Sequence, residues 1–521
     1  MSSLISHFFA WLYAHAASAA YLKYIILTPL LTVLAIVLVP ANFRPVIRSL
    51  ALLGSFITSV LSGLAFLFFK AGAPGYQFEY NVPWVNMAGI GINYHLGADG
   101  ISIGMILAAA VVGFCAVAVS WNIEKQSKMF YILLLAMITG SVGAFSSLDL
   151  FLFYFLNELA LVPTFIMIGV WGRGEDRTYA AYKITLYLTV GALVALAGLI
   201  VLYVQAGARS LDIVDLHAAI TKTPLSHSAQ GFIFPCLLFG FGTLVGLFPF
   251  HSWAPQGYGC APSATAMMHA GILKKAGLFA LLRVALPLMP EGVARWMPIL
   301  ALLCVGNLLY CGFVAMRQRD LNLLIGNSSL AHMGFAFLGI ASVSVIGITG
   351  TVLVMVAHAF LAALSFGISG WISQDEGTLD MDKLGGLLKR MPFIGSAMII
   401  CFLAGCGVPG FGNFAGEVTV MFGAWKSFHW IVVAAAWGGL VIGGVYMLRA
   451  IRSVMHGELK SDWAAARDAS NLWRRLPFAI LICGLLVFGF APNLLSERIK
   501  PVAADIVKQA SLKAAVTAAK H

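Results

Sequence analysis

The chain has 521 residues, of which 60% are hydrophobic and only 10% are charged. Soluble proteins carry about 25% charged residues, so this composition excludes a soluble domain and indicates a polytopic membrane protein. The net charge of +11 does not indicate a nucleic-acid partner, because the basic residues are scattered among short loops. An excess of Lys and Arg in short loops instead marks the cytoplasmic side of a membrane protein, so the expected surroundings are a lipid bilayer.

Apolar stretches long enough to cross a bilayer recur along the whole chain. A spanning helix needs about 20 mainly apolar residues, and this length predicts an all-α protein with fourteen transmembrane helices. Between the second and third helices, residues 70–99 contain aromatic residues and alternate between apolar and polar side chains. This pattern predicts an extramembrane hairpin. The predicted helices lie near residues 22–39, 50–69, 100–120, 129–146, 148–172, 181–205, 232–252, 263–288, 296–316, 321–343, 347–373, 391–425, 428–453 and 475–493.

Two of the apolar helices are predicted to be broken. In residues 244–283, Pro249 and neighbouring prolines and glycines interrupt the seventh helix, and the sequence CGVPGFG at residues 406–412 interrupts the twelfth. Irregular backbone survives at membrane depth only beside protein or water, as it does along ion paths. The broken helices are five helices apart, which predicts two inverted five-helix repeats over about 129–288 and 296–453.

The loop charges predict the orientation of the chain. Lys and Arg are concentrated in the odd-numbered loops, which should therefore be cytoplasmic, so both termini are expected on the periplasmic side of a bacterial inner membrane. We divide the chain into N-terminal helices with an extramembrane loop (1–99), a translocation core (100–456), and a C-terminal loop, last helix and basic tail (457–521).

Ionisable side chains within the apolar helices are the candidate functional residues, because a charged side chain at mid-bilayer costs about 2.5–3.5 kcal/mol on insertion scales. Glu158 lies in the fifth helix, Lys275 lies just after the first break, and Glu417 follows the second break. His332 and His358 lie in consecutive helices, and two histidines in a bundle with Lys and Glu favour a proton relay over the commoner role of core residues.

Other polar residues in these segments have a structural interpretation as well as a functional one. Asp99 is interpreted as a helix cap rather than a carrier, and His269 as a core residue. His251 and Trp253 suit an interfacial anchor as well as an ion path. Lys274 lies next to Lys275 on the same helix, where we expect it to snorkel or to contact a neighbouring subunit.

The sequence contains no pattern for binding a redox group. Seven of the eight cysteines lie in apolar segments, Cys260 being the exception, and there is no CxxC pair. A strand followed by GxGxxG, a P-loop, an iron–sulfur cysteine set and a haem motif are all missing. We therefore expect no cofactor or metal in this chain, and any driving reaction must come from partner proteins.

Eight motifs occur in order over about residues 85–455: LGADGIS, NELALVP, AAYKITLY, FPFHSWAP, AGILKKAG, SSLAHMGF, AHAFLAALSF and PGFGNFAGE. Together they resemble the antiporter-like subunits of proton-translocating NADH:quinone oxidoreductase (respiratory complex I), in particular chain M, the counterpart of mitochondrial subunit 4. The resemblance implies a membrane-arm subunit of that oxidoreductase, with other membrane-arm subunits as partners. Proton translocation would be driven by NADH, FMN, iron–sulfur clusters and quinone in partner subunits.

The resemblance also implies which residues carry protons. At the position of the family's seventh-helix lysine this sequence has Leu244. The family sequence Pro-Asp-Ala-His after the tryptophan is replaced here by Pro-Gln-Gly-Tyr, which ends in Tyr258. A family Lys-Arg pair before the tenth helix becomes Asn322-Leu323, so the chain is a divergent member. The family's carriers fall on Glu158, Lys183, Lys275, His332, His358 and Glu417.

The loss of the lysine at position 244 leads to two accounts of Glu158. A buried charge without a partner is costly, so Glu158 is expected to be mostly protonated near neutral pH. Alternatively, Lys274 or Lys183 pairs with it, and a lysine nitrogen then lies within about 4 Å of the carboxylate.

Two further functions remain open on the same fold. One is a cation/proton antiporter or a subunit of a bicarbonate-uptake complex, which needs no redox chemistry. The other is a structural member of a complex with a degenerate channel. The proteins that copurify with the chain distinguish the three functions.

Overall fold

The computed structural model describes residues 20–87, 90–458 and 467–518. Within these ranges, twelve helices are long and apolar enough to cross a membrane. Long runs of apolar residues form helices in lipid because a helix satisfies the hydrogen bonds of its own backbone. The prediction of a helical polytopic membrane protein is confirmed.

The first part of the chain consists of long helices and one short one. The short helix, α7, begins after Asp212, whose side chain accepts a hydrogen bond from the backbone N–H of Val214 (2.8 Å). In chain order these helices are α1 (Tyr21–Leu38), α2 (Arg44–Phe68), α3 (Ser102–Val119), α4 (Ser127–Ser146), α5 (Leu150–Trp171), α6 (Arg177–Ala206), α7 (Ile213–Lys222) and α8 (His227–Val245).

The second part of the chain is more often interrupted. Four π-helical segments, His269–Leu273, Leu281–Ala285, Gly306–Tyr310 and Trp437–Ile442, separate α-helices within otherwise continuous runs of the described chain. The α-helices are α9 (Trp253–Cys260), α10 (Ser263–Met268), α11 (Lys275–Ala280), α12 (Leu286–Leu288), α13 (Pro290–Val305), α14 (Cys311–Arg317), α15 (Leu321–Ala341), α16 (Val345–Glu376), α17 (Pro392–Gly405), α18 (Gly412–Ala436), α19 (Gly443–Met455), α20 (Leu472–Phe490) and α21 (Asn493–Ala518).

Two stretches of irregular backbone lie where the sequence is rich in glycine and proline. Residues 246–252 separate α8 from α9, and residues 406–411 separate α17 from α18. The second stretch contains Gly407 and Gly410 at φ of 70° and 99°, which L-residues with side chains rarely adopt. These glycines allow the chain to turn between the two helices.

The twelve apolar helices can be matched to the fourteen predicted ones. The predicted eighth helix, residues 263–288, is divided by π-helical segments into pieces too short to count as a span. The predicted twelfth and thirteenth helices contribute one long span, Gly412–Met455, and the shorter helix α17. Phe428 has non-helical angles (φ −140°, ψ 49°) within that long span, so it is kinked there.

The segment between α2 and α3 forms the predicted hairpin. Strands β1 (Gln77–Met87) and β2 (Ile90–Ala98) pair in antiparallel register, with Pro83 opposite Asn93. The hairpin is joined to the helical bundle, because the carbonyl oxygen of His95 accepts a hydrogen bond from the backbone N–H of Leu148 (2.9 Å).

Helices α15 and α16 form the centre of the bundle, and most of their residues are buried. α16 packs closely against α18, because a Cβ atom at Gly416 would lie 2.7 Å from the backbone nitrogen of Val354. Small residues permit this kind of close contact between membrane helices. The two helices that flank the second irregular stretch are therefore held against the centre of the protein.

Candidate functional site

Lys275 lies at the start of α11, directly after a π-helical segment. In that segment the backbone N–H of Lys274 donates to the carbonyl oxygen of His269, five residues back (3.3 Å). The carbonyl oxygen of Ala270 accepts a hydrogen bond from Nζ of Lys275 (2.5 Å). π-helical turns often occur at functional sites, because the extra residue re-aims the side chains that follow.

Four of the six predicted site residues form one chain of contacts. Nζ of Lys275 lies 2.8 Å from Nδ1 of His358, and the rings of His358 and His332 have their centres 5.5 Å apart. Nδ1 of His332 lies 2.7 Å from Oε1 of Glu417. All four side chains are buried. The structure thus brings together residues from α11, α15, α16 and α18 that are distant in the sequence.

Each of these four side chains is positioned by a different helix at the centre of the bundle. His332 and His358 lie midway along the two most buried helices, α15 and α16. Glu417 lies in the second turn of α18, just beyond residues 406–411, which places a carboxylate beside irregular backbone. Backbone of this kind exposes polar groups that conduct or coordinate ions at membrane depth.

Glu158 and Lys183 are not part of this chain of contacts. Glu158 faces a cavity of about 90 Å³ between α5 and α6, whose lining includes Thr185 and Thr189. Its Oε1 atom is buried without a hydrogen-bond partner, and no lysine lies within 4.0 Å of the carboxylate in the described part of the protein. Nζ of Lys183 instead donates to Oε1 of Gln256 (2.6 Å).

Lys274 is fully buried, and the prediction that it snorkels or contacts a neighbouring subunit is wrong. Its Nζ atom donates to Oγ of Ser329 (2.5 Å) and to the carbonyl oxygen of the same residue (3.1 Å). The ammonium group also lies 5.9 Å from the centre of the Tyr258 ring. The π-helical segment, which the sequence pattern did not predict, lies immediately before both lysines.

His269 and Tyr258 form a buried polar pair beside Lys274. The hydroxyl of Tyr258 lies 3.0 Å from Nδ1 of His269. The Nε2 atom of His269 is buried and has no hydrogen-bond partner in the part of the chain that the structure describes. Sequence reasoning missed Tyr258 as a member of the site and noted it only as a departure from the family pattern. Ser329 was also missed, although it lies one helical turn before His332 in the motif SSLAHMGF.

Trp253 and His251 lie inside the protein rather than at its surface. Trp253 is fully buried, and its Nε1 donates to the carbonyl oxygen of Thr243 (3.1 Å). The ring of His251 stacks on that of Phe248 at 5.3 Å between centres. The interpretation of these residues as interfacial anchors is therefore wrong, because both side chains pack within the first irregular stretch.

Asp99 caps α3, as predicted, and it also forms an ion pair. Its Oδ1 atom accepts hydrogen bonds from the backbone N–H groups of Ile101 (3.0 Å) and Ser102 (2.9 Å). The same oxygen lies 3.0 Å from a guanidinium nitrogen of Arg283, and both side chains are buried. This pair joins the base of the hairpin to the π-helical segment Leu281–Ala285.

A second polar cluster fixes the hairpin to α7. Nδ1 of His95 contacts a carboxylate oxygen of Asp212, and Nε2 of His95 lies 3.0 Å from Oε1 of Glu79. Burial lowers the pKa of His95, but hydrogen bonds and charge interactions with Asp212 and Glu79 outweigh it and raise the pKa above its ordinary value. Protonated His95 therefore stabilises the docked hairpin.

No group of three or more His, Cys, Asp or Glu side chains is arranged to hold a metal ion among the residues that the structure describes. The eight cysteines are all free thiols, and none is paired as a disulfide. The buried chemistry of the described helices is thus that of lysine, histidine, carboxylate and hydroxyl groups, all of which can exchange protons.

The sequence profile of NADH:quinone oxidoreductase and Mrp antiporter transmembrane subunits matches residues 147–443, more than half of the chain. The chain belongs to this family. Subunit M of the NADH-quinone oxidoreductase of Pseudomonas aeruginosa is 34% identical over 425 residues, which cover 80% of this chain and 83% of the relative. Subunit M of the F(420)H(2) dehydrogenase of Methanosarcina mazei is 33% identical over 476 residues, or 90% and 94% of the two chains.

A solved structure of the family supports the same relationship in three dimensions. A chain of respiratory complex I from Thermus thermophilus superposes with a TM-score of 0.85 at 28% sequence identity. The match covers 94% of this chain and 100% of that chain. The resemblance to antiporter-like subunits of complex I is confirmed, and all six predicted site residues lie within the part of the chain that the family profile matches.

Proposed function

We propose that the chain is a membrane-arm subunit of a respiratory NADH:quinone oxidoreductase and translocates protons through its centre. The observation that carries the proposal is the buried chain of contacts Lys275–His358–His332–Glu417, whose members come from four different helices. Placing an ionisable group within a membrane helix costs free energy. Four such groups that contact one another in turn therefore indicate an ion path rather than a structural core.

The proposed movement of a proton along this chain follows its two hydrogen bonds and the ring contact between the histidines. Lys275 donates to Nδ1 of His358, so Nδ1 is the acceptor and Nε2 of His358 carries the hydrogen. Transfer breaks an N–H bond of Lys275 and forms one at Nδ1, which converts His358 into an imidazolium that releases its Nε2 proton. Nε2 of His332 has no partner among the described residues and is the nitrogen free to accept this proton.

The last transfer delivers the proton to Glu417. Once His332 has accepted at Nε2, it carries a positive charge and gives up the proton on Nδ1 to Oε1 of Glu417, 2.7 Å away. The histidine returns to its neutral form with its hydrogen on the other nitrogen, and Glu417 becomes a neutral acid. Electron transfer in partner subunits supplies the charge displacement that makes Lys275 release its proton.

Glu158 and Lys183 belong, in this proposal, to a first half-channel that differs from the second. No lysine nitrogen lies within 4.0 Å of Glu158 among the described residues, so in this proposal the carboxyl group is neutral at physiological pH, because an isolated charge at this depth costs more than protonation. Lys183 bonds Gln256 near the start of α9 and is an entry residue of that half. Leu244 occupies the position at which the family has a lysine.

We also propose fourteen transmembrane helices in two inverted five-helix repeats, with broken seventh and twelfth helices. In support, α6 packs along α8, and α16 packs along α18 in the corresponding part of the second repeat. Each of α8 and α18 adjoins one of the two irregular stretches. The domain division at residues 1–99, 100–456 and 457–521 follows from the same repeats, and the termini are periplasmic.

The partners of the chain are other membrane-arm subunits of a multi-subunit respiratory complex in a bacterial inner membrane. NADH, FMN, iron–sulfur clusters and quinone belong to its other subunits, and this chain supplies only the proton path. The alternative that the family supports is a cation/proton antiporter, because the family profile includes Mrp antiporter subunits.

Copurification tests the choice between these two functions. The chain is tagged in its native host, the complex is extracted in mild detergent, and its partner chains are identified by mass spectrometry. We expect electron-transfer subunits that reduce quinone in the purified complex. Recovery with antiporter subunits alone, and no quinone reduction, would contradict the assignment and favour the antiporter.

A further inference from the structure

We propose that Lys274 is a second proton-carrying site at the centre of the protein, supplied through Tyr258 and His269, and that it exchanges its proton with Lys275. This inference rests on the proposed function, because it concerns how protons reach the chain of contacts that begins at Lys275. It gives Lys274 a role distinct from that of a fixed hydrogen-bond donor.

Lys274 and Lys275 place two adjacent amines in the interior of the protein. Lys274 and Lys275 are both fully buried, and no carboxylate lies within 4.0 Å of either amine in the described part of the protein. Two neighbouring ammonium groups repel each other and lack a counter-ion, so they do not both stay charged. One proton shared between two amines is the arrangement that a transfer step requires.

The two amines have different hydrogen-bond partners. Lys274 bonds Ser329 on α15, whereas Lys275 bonds His358 on α16. α15 and α16 pack against each other, so the two side chains reach the same central layer from one end of α11. Lys275 contacts the first of the histidines that lead to Glu417, and Lys274 contacts Ser329, one helical turn before His332.

A set of buried polar groups lies close to Lys274. Its ammonium group lies 5.9 Å from the centre of the Tyr258 ring, and the Tyr258 hydroxyl lies 3.0 Å from Nδ1 of His269. The side-chain amide of Asn322 donates to the carbonyl oxygen of Tyr258 (3.4 Å). Nε2 of His269 and Oδ1 of Asn322 are both buried and have no hydrogen-bond partner among the described residues, which leaves two polar atoms available to a proton route.

These groups lead from Lys274 to a basic loop. The carbonyl oxygen of Gly259, next to Tyr258, accepts a hydrogen bond from the guanidinium of Arg173 (2.9 Å). Asn322 lies at the start of α15, close behind Arg317 and Arg319. Loops rich in arginine are cytoplasmic, so this route would load Lys274 from the cytoplasmic side.

Each step of the route conserves protons and charge. Lys274 in its ammonium form transfers one proton to the neutral amine of Lys275, breaking one N–H bond and forming another. Lys274 is then a neutral amine that accepts a new proton arriving from the side of Tyr258 and His269. No oxidant or reductant takes part in either step.

The test is Lys274→Arg in the purified complex reconstituted into vesicles with a pH-sensitive dye. A guanidinium keeps the positive charge and can donate to Ser329, but it does not release its proton. A merely structural Lys274 therefore tolerates arginine. A proton-carrying Lys274 does not, and translocation per electron falls about tenfold or more. A loss of less than about threefold overturns the proposal.

Two controls separate this inference from the proposed function. The wild-type complex must acidify the vesicles, and Lys275→Ala must not. If the wild-type complex transfers electrons without moving protons, the proposed function fails. If both controls behave as stated and Lys274→Arg still translocates, only the role of Lys274 is wrong.

Tyr258→Phe gives an independent result, which decides the question if Lys274→Arg does not assemble. It removes one oxygen atom and the hydrogen bond to His269, and we expect about a threefold or greater loss of translocation. Tyr131→Phe is the matched control. Tyr131 is equally buried, and its hydroxyl donates a hydrogen bond to the carbonyl oxygen of Ser120 (2.8 Å) rather than to a member of the proposed route. Equal translocation by the two variants overturns the proposal.

Discussion

At the scale of single residues, the protein places its buried ionisable groups in two different settings. Lys275, His358, His332 and Glu417 each contact another ionisable group. Glu158 does not, and its Oε1 atom has no hydrogen-bond partner among the described residues. Since an unpaired buried charge costs several kcal/mol, the second setting favours the neutral acid, whereas the first favours transfer between partners.

The proposed neutral state of Glu158 leads to a prediction for its amide variant. Glu158→Gln replaces a neutral carboxyl group with a neutral amide of nearly the same shape, so proton translocation should stay within about twofold of the wild-type value. Leu244→Lys should change translocation more, because it places an amine at the position of the family lysine. Vesicle acidification measures both, with Leu238→Lys, another buried α8 position, as a control for the added charge. A severe defect of Glu158→Gln would contradict this account.

The sequence alone predicted which residues form the candidate site, but it did not predict the contacts between them. Lys275, His332, His358 and Glu417 were predicted because a charge or a histidine in an apolar run is conspicuous. Two of their contacts join residues more than 80 positions apart, Lys275 to His358 and His332 to Glu417, and no local pattern specifies such contacts. The roles of Lys274 and Tyr258 were missed for the same reason, because a hydrogen bond to Ser329 or to His269 depends on how the helices pack.

At the scale of elements, the hairpin is held to the bundle by charged contacts that depend on pH. The pKa of His95 is raised because Asp212 and Glu79 outweigh the effect of burial. A histidine whose pKa is raised in the folded state stabilises that state below its unfolded pKa of about 6.5, and the stabilisation is lost as the pH rises through the folded-state pKa. The docking of β2 should therefore weaken in alkaline solution.

Hydrogen exchange of the hairpin tests this prediction. Protection of the β2 amides in the assembled complex, corrected for intrinsic exchange, should fall as the pH rises above about 6.5 and through the raised pKa of His95. Glu79→Gln removes one of the two carboxylates that raise the pKa of His95, so protection should be lost at a lower pH. Glu124→Gln, at an exposed position away from His95, is the control. Protection that does not change with pH in the wild-type complex would contradict the role of His95.

The buried pair of Asp99 and Arg283 is a second test at this scale. Asp99→Asn keeps an oxygen that can accept the two capping hydrogen bonds of α3, but it leaves the Arg283 charge buried and unpaired. Breaking such a pair costs about 3–5 kcal/mol. The exposed pair of Arg319 and Asp382, 3.5 Å apart, is the control, and its removal should cost less than about 1 kcal/mol.

The amount of assembled complex and the temperature at which it is inactivated report on both pairs. Asp99→Asn should lower both clearly, and Asp382→Asn should lower neither. Equal behaviour of the two variants would show that the buried pair does not stabilise the fold.

At the scale of the whole molecule, apolar length predicted most of the helices and could not predict their interruptions. Twelve apolar helices of the described chain correspond to predicted spans, since hydrophobic length is a property of local sequence. The π-helical segments at His269–Leu273 and Leu281–Ala285 were not predicted, because they arise where neighbouring helices and buried polar groups compete for backbone hydrogen bonds. The hairpin was predicted from alternation, but its docking through His95 was not.

The orientation of the chain is a prediction for the whole molecule. The bias of Lys and Arg toward odd-numbered loops places both termini in the periplasm. A reporter that is active only outside the cytoplasm, fused after His521, should be active, and the same reporter in the loop after Arg317 should be silent. The reverse pattern would overturn either the helix count or the orientation.

The central claim is that protons cross the membrane through Lys275, His358, His332 and Glu417, and vesicle acidification by the reconstituted complex tests it most directly. Lys275→Ala and Glu417→Gln should each remove about nine-tenths of proton translocation per electron, because each deletes a titratable member of the chain. Lys222→Ala and Glu497→Gln, which change exposed residues of the same types, should pump normally. All four variants should assemble. Normal pumping by both Lys275→Ala and Glu417→Gln would contradict the account.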